Sequence, residues 1–353
     1  MSNISLKSIK YESIKAIFTS IADAEQISRA EISRKTDLSL VTVGKIADAL
    51  LDLNIVSQVK AVRPQAGRRA GLLSVNREKF ALILDVTSYE FRFTLLNLRL
   101  ELVDRSIFQN IPGLTFAENF NAFLSETAQY VDSKYDLENC FGVGVAVPGP
   151  YLSAEDVVAT NRVPELCTFH IREAVHNQFP DLPLLIDSHI NAAARSNTTS
   201  IENYDKRNIV YWYIGSHNVC GVHLVGGNMV LGRDGHACDF GAMRSLTDLT
   251  LEEKISLCKD QNECAESLAL AFYNVIKILN PDDMILDFDL PYDCDEVIPL
   301  LVDTLTMKFR LKPEDMPTMR RTHCKFRNSH RGLTIGLREL WLDRIVFGSV
   351  QND

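Results

Sequence analysis

No stretch of the 353-residue chain approaches the run of roughly eighteen or more apolar residues that a membrane-spanning helix requires, which excludes an integral α-helical membrane protein. The opening Met1-Ser2-Asn3-Ile4-Ser5-Leu6-Lys7 has no apolar h-region, so no secretory signal is expected. Cys-x-x-Cys pairs are missing too. The eight cysteines are scattered from Cys140 to Cys324 without regular spacing, and reduced thiols in a cytoplasmic protein are the expectation. Sequence repeats and low-complexity tracts are absent, which excludes collagen-like and disordered classes. What is present is 46% hydrophobic and 24% charged, enough for two or three domains with a sizeable core.

Charge is uneven. The formal net charge is −9, which argues against a general nucleic-acid binder. Yet residues 1–80 carry 13 Lys+Arg against 8 Asp+Glu, a net of +5, leaving −14 for the remainder. A basic module on an acidic body attracts a polyanion at one end and repels it elsewhere.

Within that module Ile9, Ile14, Ile17, Phe18 and Ile21 recur at helical spacing and predict an amphipathic helix over 8–22. Ser28 with Glu31 three residues on is a capping-box start for a second, short helix. Asp37-Leu38-Ser39 breaks the chain, Ser39 caps a third helix over 40–53, and Asn54 suits the left-handed conformation that ends it. Two helices joined by a tight turn form a helix-turn-helix, whose second helix enters the major groove. Ser39, Leu40, Val41, Thr42 and Lys45 would then face bases and phosphates. Ile55-Val56-Ser57-Gln58-Val59 and Leu72-Leu73-Ser74-Val75 read as two strands flanking a basic wing, in which Arg63, Arg68 and Arg69 suit a phosphate or the narrow minor groove. Gly44 inside the third helix costs up to about 1 kcal/mol relative to alanine, and close packing or near approach to DNA are the two reasons open for it. The competing use of such a head is contact with protein rather than DNA.

From Phe80 the pattern changes. Phe80-Ala81-Leu82-Ile83-Leu84-Asp85-Val86 reads as a buried strand, Phe91-Arg92-Phe93-Thr94-Leu95 as a half-buried one, and Leu100-Glu101-Leu102-Val103 as a third. A helix over 117–133 leads to the apolar strand Phe141-Gly142-Val143-Gly144-Val145-Ala146-Val147, which runs into Pro148-Gly149-Pro150. Such a strand end is where α/β folds place ligand-binding backbone. Leu184-Leu185-Ile186-Asp187, then a helix from Asn191-Ala192-Ala193-Ala194-Arg195, then Ile209-Val210-Tyr211-Trp212-Tyr213-Ile214 restart the cycle of strands and helices.

The order of motifs resembles the ROK family, the sugar kinases and sugar-responsive repressors of the actin-like ATPase superfamily. Gly142 to Pro150 is similar to the family's strand and turn beside the sugar, and Asn191-Ala192-Ala193-Ala194 to the end of its catalytic-loop motif. Gly235-His236-Ala237-Cys238-Asp239-Phe240-Gly241 resembles the Ala-Gly-Glu-x-Gly-His segment, and Gly332-Leu333-Thr334-Ile335-Gly336-Leu337 the closing helix. The winged head resembles the repressor branch. The resemblance therefore implies a winged helix-turn-helix (α+β) over 1–78 followed by an α/β two-lobed actin-like body. The first lobe would cover 79–195 together with a C-terminal helix over 332–353, and the second 196–331.

The departures from the family pattern bear on function. The kinases' Asp-x-Gly-Gly-Thr turn, where glycines let backbone approach phosphate, reads Asp85-Val86-Thr87-Ser88-Tyr89. Their Gly-Thr-Gly-x-Gly-x-Gly loop reads Gly215-Ser216-His217-Asn218-Val219-Cys220-Gly221, and the aspartate that deprotonates the sugar falls at His189. The family's zinc histidine falls at Ala242, and Cys258 and Cys264 stand in a C-x5-C spacing inside an apparent helix, so four tetrahedral ligands are not expected. No catalytic residue, metal, zinc or ATP is therefore expected. By resemblance Gly149, Asn161, Ser188, His189 and Asp239 line an altered effector cleft able to bond a sugar or sugar derivative. The reading is a cytoplasmic transcriptional regulator of carbohydrate-related genes, a repressor that binds double-stranded operator DNA as a homodimer or tetramer. A protein-interaction scaffold with a decayed cleft and a residual sugar kinase are the alternatives.

Overall fold

The computed structural model describes residues 3–59, 71–87, 90–244, 248–322 and 325–347. Contacts divide the chain into two compact units. The first holds Met1–Val145, Arg172–Leu185 and Thr334–Asp353, the second Ala146–Ile171 and Ile186–Leu333.

The first unit opens with three helices, α1 (Asn3–Asp23), α2 (Arg29–Thr36) and α3 (Leu40–Asp52). An antiparallel ribbon of β1 (Val56–Val59) and β2 (Leu72–Val75) follows. Local hydrogen bonds start the helices. The Ser28 hydroxyl accepts from the Glu31 amide at 3.2 Å and the Glu31 carboxylate accepts from the Ser28 amide at 2.9 Å. Hydrogen bonds from the Ser28 hydroxyl and amide hold the Glu31 carboxyl below its usual range. Ser39 caps α3 by accepting from the Thr42 amide at 3.1 Å. Asp37 (φ 56) and Asn54 (φ 55) adopt the left-handed conformation and reverse the chain after α2 and α3. The helices close over buried Ile17, Phe18, Ile21, Ile32, Val43 and Leu50. Ile27 pairs with Leu73 through both backbone groups, which ties the ribbon to the helices.

A meander of β3 (Phe80–Val86), β4 (Glu90–Asn97) and β5 (Leu102–Gln109) comes next, then α4 (Phe116–Tyr135) and β6 (Cys140–Val147). Short β7 (Tyr151–Leu152) and β8 (Val157–Val158) precede α5 (Ile171–Gln178) and β9 (Leu184–Ser188). The sheet order is β5-β4-β3-β6-β9, and β6 and β9 each carry the chain from the first unit into the second. The Phe91 ring contacts Phe116, Phe120 and Phe123 of α4 at centroid distances of 5.5, 5.4 and 5.3 Å. The latter half of β4 is buried at every position rather than alternating, so the expected half-buried strand is a core strand.

The second unit continues with α6 (His189–Thr198), β10 (Asn208–Gly215), β11 (Asn218–Val225) and β12 (Asn228–Met229). Then come α7 (Leu251–Leu257), α8 (Gln261–Leu279), β13 (Asp283–Asp289), α9 (Val297–Met307) and β14 (Thr318–Thr322). Its sheet runs β12-β11-β10-β13-β14, with β13 parallel to β10 and to β14. In its core Trp212 is sandwiched between Phe240 and Phe272, with ring centroids 3.9 and 4.4 Å away. Cys258 and Cys264 are not on one helix. The Asp260 carboxylate accepts from the Asn262 and Glu263 amides and starts α8 afresh after α7 has ended.

The last helix, α10 (Lys325–Phe347), passes from the second unit into the first at Thr334. There it meets α1. Lys15 pairs with Glu339 at 2.8 Å, the Tyr11 hydroxyl bonds Asp343, and the Arg338 guanidinium lies 5.7 Å from the centre of the Phe18 ring. Among the described residues no helix is long and apolar enough to cross a membrane.

Candidate nucleic-acid interface and effector site

The order α2, tight turn, capped α3 is a helix-turn-helix, and α3 divides into two faces. Val43, Ala47 and Leu50 are buried, whereas Leu40 (58% exposed), Val41 (68%) and Lys45 face solvent. Ser39 and Thr42 are committed to the helix start, their hydroxyls 2.9 Å apart in addition to the capping bond. Arg34 and Lys35 close α2. The wing residues Arg63, Arg68 and Arg69 lie outside the described residues.

The five residues expected to hold an effector all belong to the second unit. Gly149 follows the end of β6, and a Cβ there would come within 2.3 Å of the Ala159 carbonyl oxygen, so only glycine allows the approach. The Thr160 hydroxyl bonds the Pro148 carbonyl at 3.1 Å, which fixes the segment leading to exposed Asn161 beside the same turn. His189, at the start of α6, donates Nδ1–H to the Val147 carbonyl at 2.7 Å, since a carbonyl can only accept. Ser188 is buried and acts as the N-cap of α6, its hydroxyl accepting from the Asn191 amide at 3.1 Å.

Asp239 reaches the same neighbourhood through β11. The Gly221 amide donates to the Cys238 carbonyl at 3.0 Å, and Arg162 donates to the His217 carbonyl at 3.5 Å. Arg162 and Asp239 both act electrostatically on Cys220, whose thiol burial above all pushes up to about 12. Gly235 (φ 74) would place a Cβ 2.8 Å from Pro150, so the loop before Asp239 also lies against the Gly149 turn. His189 through Val147, the Asn161 segment through Thr160, and the loop before Asp239 through Gly235 are each tied to the turn around Gly149.

Sequence reasoning missed two participants. Arg162 is next to Asn161, but nothing in one dimension places it against the β10–β11 hairpin. Arg195 pairs with Asp187 at 3.0 Å while the Asn191 side-chain Nδ2 donates to the same carboxylate at 2.9 Å, which braces the base of α6 under His189. Residues eight apart, on a strand and the following helix, leave no periodic signal.

A model described as the ROK family matches residues 83–285. The chain belongs to the ROK family. Among curated proteins it is 23% identical over 270 residues to the xylose repressor of Caldicellulosiruptor bescii, and 25% identical over 272 residues to a putative xylose repressor of another Caldicellulosiruptor strain, Rt8B.4. Each match covers 74% of this chain and 65% of the relative, so the chain spans just under two thirds of those proteins' length. Among solved structures, a ROK family transcriptional regulator described as a homologue of the E. coli MLC protein superposes with a TM-score of 0.70 at 14% identity, over 96% of this chain and 100% of that one. A ROK protein from Streptococcus pneumoniae in complex with sucrose gives 0.58 at 17% identity, over 73% and 99%. The first likeness covers nearly the whole chain and the second only part of it, and they show the fold: a helix-turn-helix head with a two-stranded ribbon, and a ROK body of two sheets.

Set on ROK positions, the local geometry is specific. The glycine of the Ala-Gly-Glu segment falls at Cys238, which keeps a left-handed φ of 63 despite its side chain. The site does not fit the family's zinc. Ala242 supplies no ligand, the Cys258 thiol donates to the Lys254 carbonyl at 3.3 Å, and no described group of three His, Cys, Asp or Glu residues gathers as metal ligands would. The second phosphate loop is a tight hairpin in which Gly215 pairs with Asn218, and the Val219 amide at its base is taken by the Glu252 carboxylate at 3.0 Å.

Proposed function

We propose that the chain is a DNA-binding transcriptional regulator, a repressor of carbohydrate-related genes, whose affinity for its operator is set by an effector bound in the second unit. The observation that carries this reading is the exposed first turn of α3, with Leu40, Val41 and Lys45 presented by a capped helix-turn-helix at the basic end of an acidic chain. In this reading 1–78 is the DNA-binding domain, 79–195 with 332–353 the first lobe and 196–331 the second, although 146–171 and 186–195 cluster by contacts with the second unit. Ser39 and Thr42 position the reading helix, Lys45 and the wing arginines Arg63, Arg68 and Arg69 contact backbone, and a homodimer or tetramer spans a palindromic site in the cytoplasm.

The effector is a sugar or sugar derivative bonded by Gly149, Asn161, His189 and Asp239, with Ser188 holding the helix that carries His189. Two xylose repressors among the relatives put pentoses first on the list of ligands to try. An effector changes DNA affinity only if it binds one state of the protein better than the other. Phosphoryl transfer is not part of the proposal. A histidine bonded to Val147 stands in place of the catalytic aspartate, and a carboxylate already occupies an amide at the base of the glycine-poor loop that would meet a phosphate.

Selection of genomic DNA fragments by the purified protein, with R68A/R69A as control, tests the reading. Enrichment of a palindromic site by the parent protein alone, weakened by a sugar of the kind encoded beside that site, is the expected result. No enrichment over the control at low and moderate salt, with and without pentoses and hexoses, would overturn it.

A further inference from the structure

The DNA-reading face contains a feature that the fold does not need. Gly44 lies in the middle of α3, where glycine weakens a helix relative to alanine. Among the described residues close packing does not explain it, because a Cβ at Gly44 would meet nothing within 4 Å. Val41, Gly44, Lys45 and Asp48 stand at i, i+3, i+4 and i+7 on one side of α3, opposite buried Val43, Ala47 and Leu50. At the N-terminal end of that side two adjacent large apolar residues, Leu40 and Val41, are left in water. The bare backbone and the apolar pair both await something outside the free chain.

Resting on the DNA-binding reading, we infer that Leu40 and Val41 read thymine methyl groups in the major groove, and that Gly44 lets the backbone of α3 come close enough for them to do so. Charge selects this occupant over an apolar protein surface: Lys45 shares the face, Asp48 farther along it is paired with Arg29 at 2.5 Å, Arg34 and Lys35 end the neighbouring helix, and the first 80 residues are net basic while the body is acidic. On the floor of the major groove the apolar feature is the C5-methyl of thymine, the contact that small aliphatic side chains make there. A polar first turn would read hydrogen-bonding edges instead. Leu40 and Val41 carry no donor or acceptor beyond the backbone.

The test replaces thymines of the selected site one at a time by deoxyuridine, which removes the methyl and leaves every hydrogen-bonding group. One or two positions per half-site are expected to weaken binding by about fourfold each, the cost of exposing one buried methyl group. V41A should abolish the sensitivity at one of those positions while still binding. G44A should raise the Tm of the free protein and lower operator affinity at least tenfold. A selected site that tolerates deoxyuridine at every thymine would overturn the inference and leave the DNA-binding reading standing. A G44A protein that binds like its parent would overturn the role given to the glycine. Failure to select any DNA would instead sink the regulator reading, and this inference with it.

Discussion

Trp212 offers a test of what holds the second unit together, because its two contributions can be separated. The indole is fully buried and stacked on both sides, yet its Nε1–H meets no acceptor among the described residues. Each stacked pair contributes about 0.5–1.5 kcal/mol beyond area burial, whereas a buried donor without a partner costs about 1–3 kcal/mol. Trp212→Phe keeps a ring between Phe240 and Phe272 and removes the N–H. The smaller ring forfeits about 1–2 kcal/mol of burial and leaves a small cavity, so loss and gain nearly cancel. The expected stability is within about 1 kcal/mol of the parent. Trp212→Ala, which removes both stacks and leaves a large cavity, should cost about 3–5 kcal/mol. Urea unfolding followed by far-ultraviolet circular dichroism measures both, with any separate transition of the first unit fitted independently. A Trp212→Phe protein as damaged as Trp212→Ala would refute the reasoning, since the indole N–H would then be stabilising the fold. Phe240 precedes Gly241 and follows Asp239, so the alanine variant should also weaken effector binding more than the phenylalanine variant does.

Two further outcomes are expected. Gly149→Ala forces a Cβ against the Ala159 carbonyl and should cost about 1–3 kcal/mol; it should also shift the Asn161 segment enough to abolish an effector's effect on DNA binding, read by titrating DNA with and without sugar. Burial holds the His223 imidazole below its ordinary value of 6.5, so the unfolded chain binds the proton more tightly than the folded one. The stability this contributes is complete above pH 6.5 and is lost as pH falls through the folded value, and in urea midpoints measured from pH 8 to 5 the His223→Gln protein should show a flatter acid limb than its parent.

Helix starts were legible in the sequence because their causes are local. Ser28 with Glu31, and Ser39 three residues before Thr42, bond groups within one turn, and the structure places α2 and α3 directly after those two caps. Asn54 likewise takes the left-handed conformation its side chain tolerates. The errors came where distant segments decide. The Phe91 strand reads as half-buried in its own pattern, but Thr94 and Leu96, on the face opposite Phe91, Phe93 and Leu95, are buried as well. The stretch containing Cys258 and Cys264 reads as one helix because Lys259-Asp260-Gln261-Asn262-Glu263 between them holds no glycine or proline, while the interruption comes from Asp260 capping a new start. Of the candidate effector site, the glycine turn and the altered aspartate and histidine positions were visible as departures from a motif. The pairing of Arg195 with Asp187 and the approach of Arg162 to His217 were not, because each depends on how a strand, a helix and a hairpin come together.

The docking of α1 on α10 bears on how such a protein can be inherited or rebuilt. Lys15, Tyr11 and Phe18 near one end of the chain answer to Glu339, Asp343 and Arg338 near the other. A head exchanged between relatives at the obvious join after β2 would therefore arrive without its counterpart. Working chimeras should need both chain ends from the same parent, and natural variation on the inner side of α1 should be matched by compensating changes more than 300 positions away.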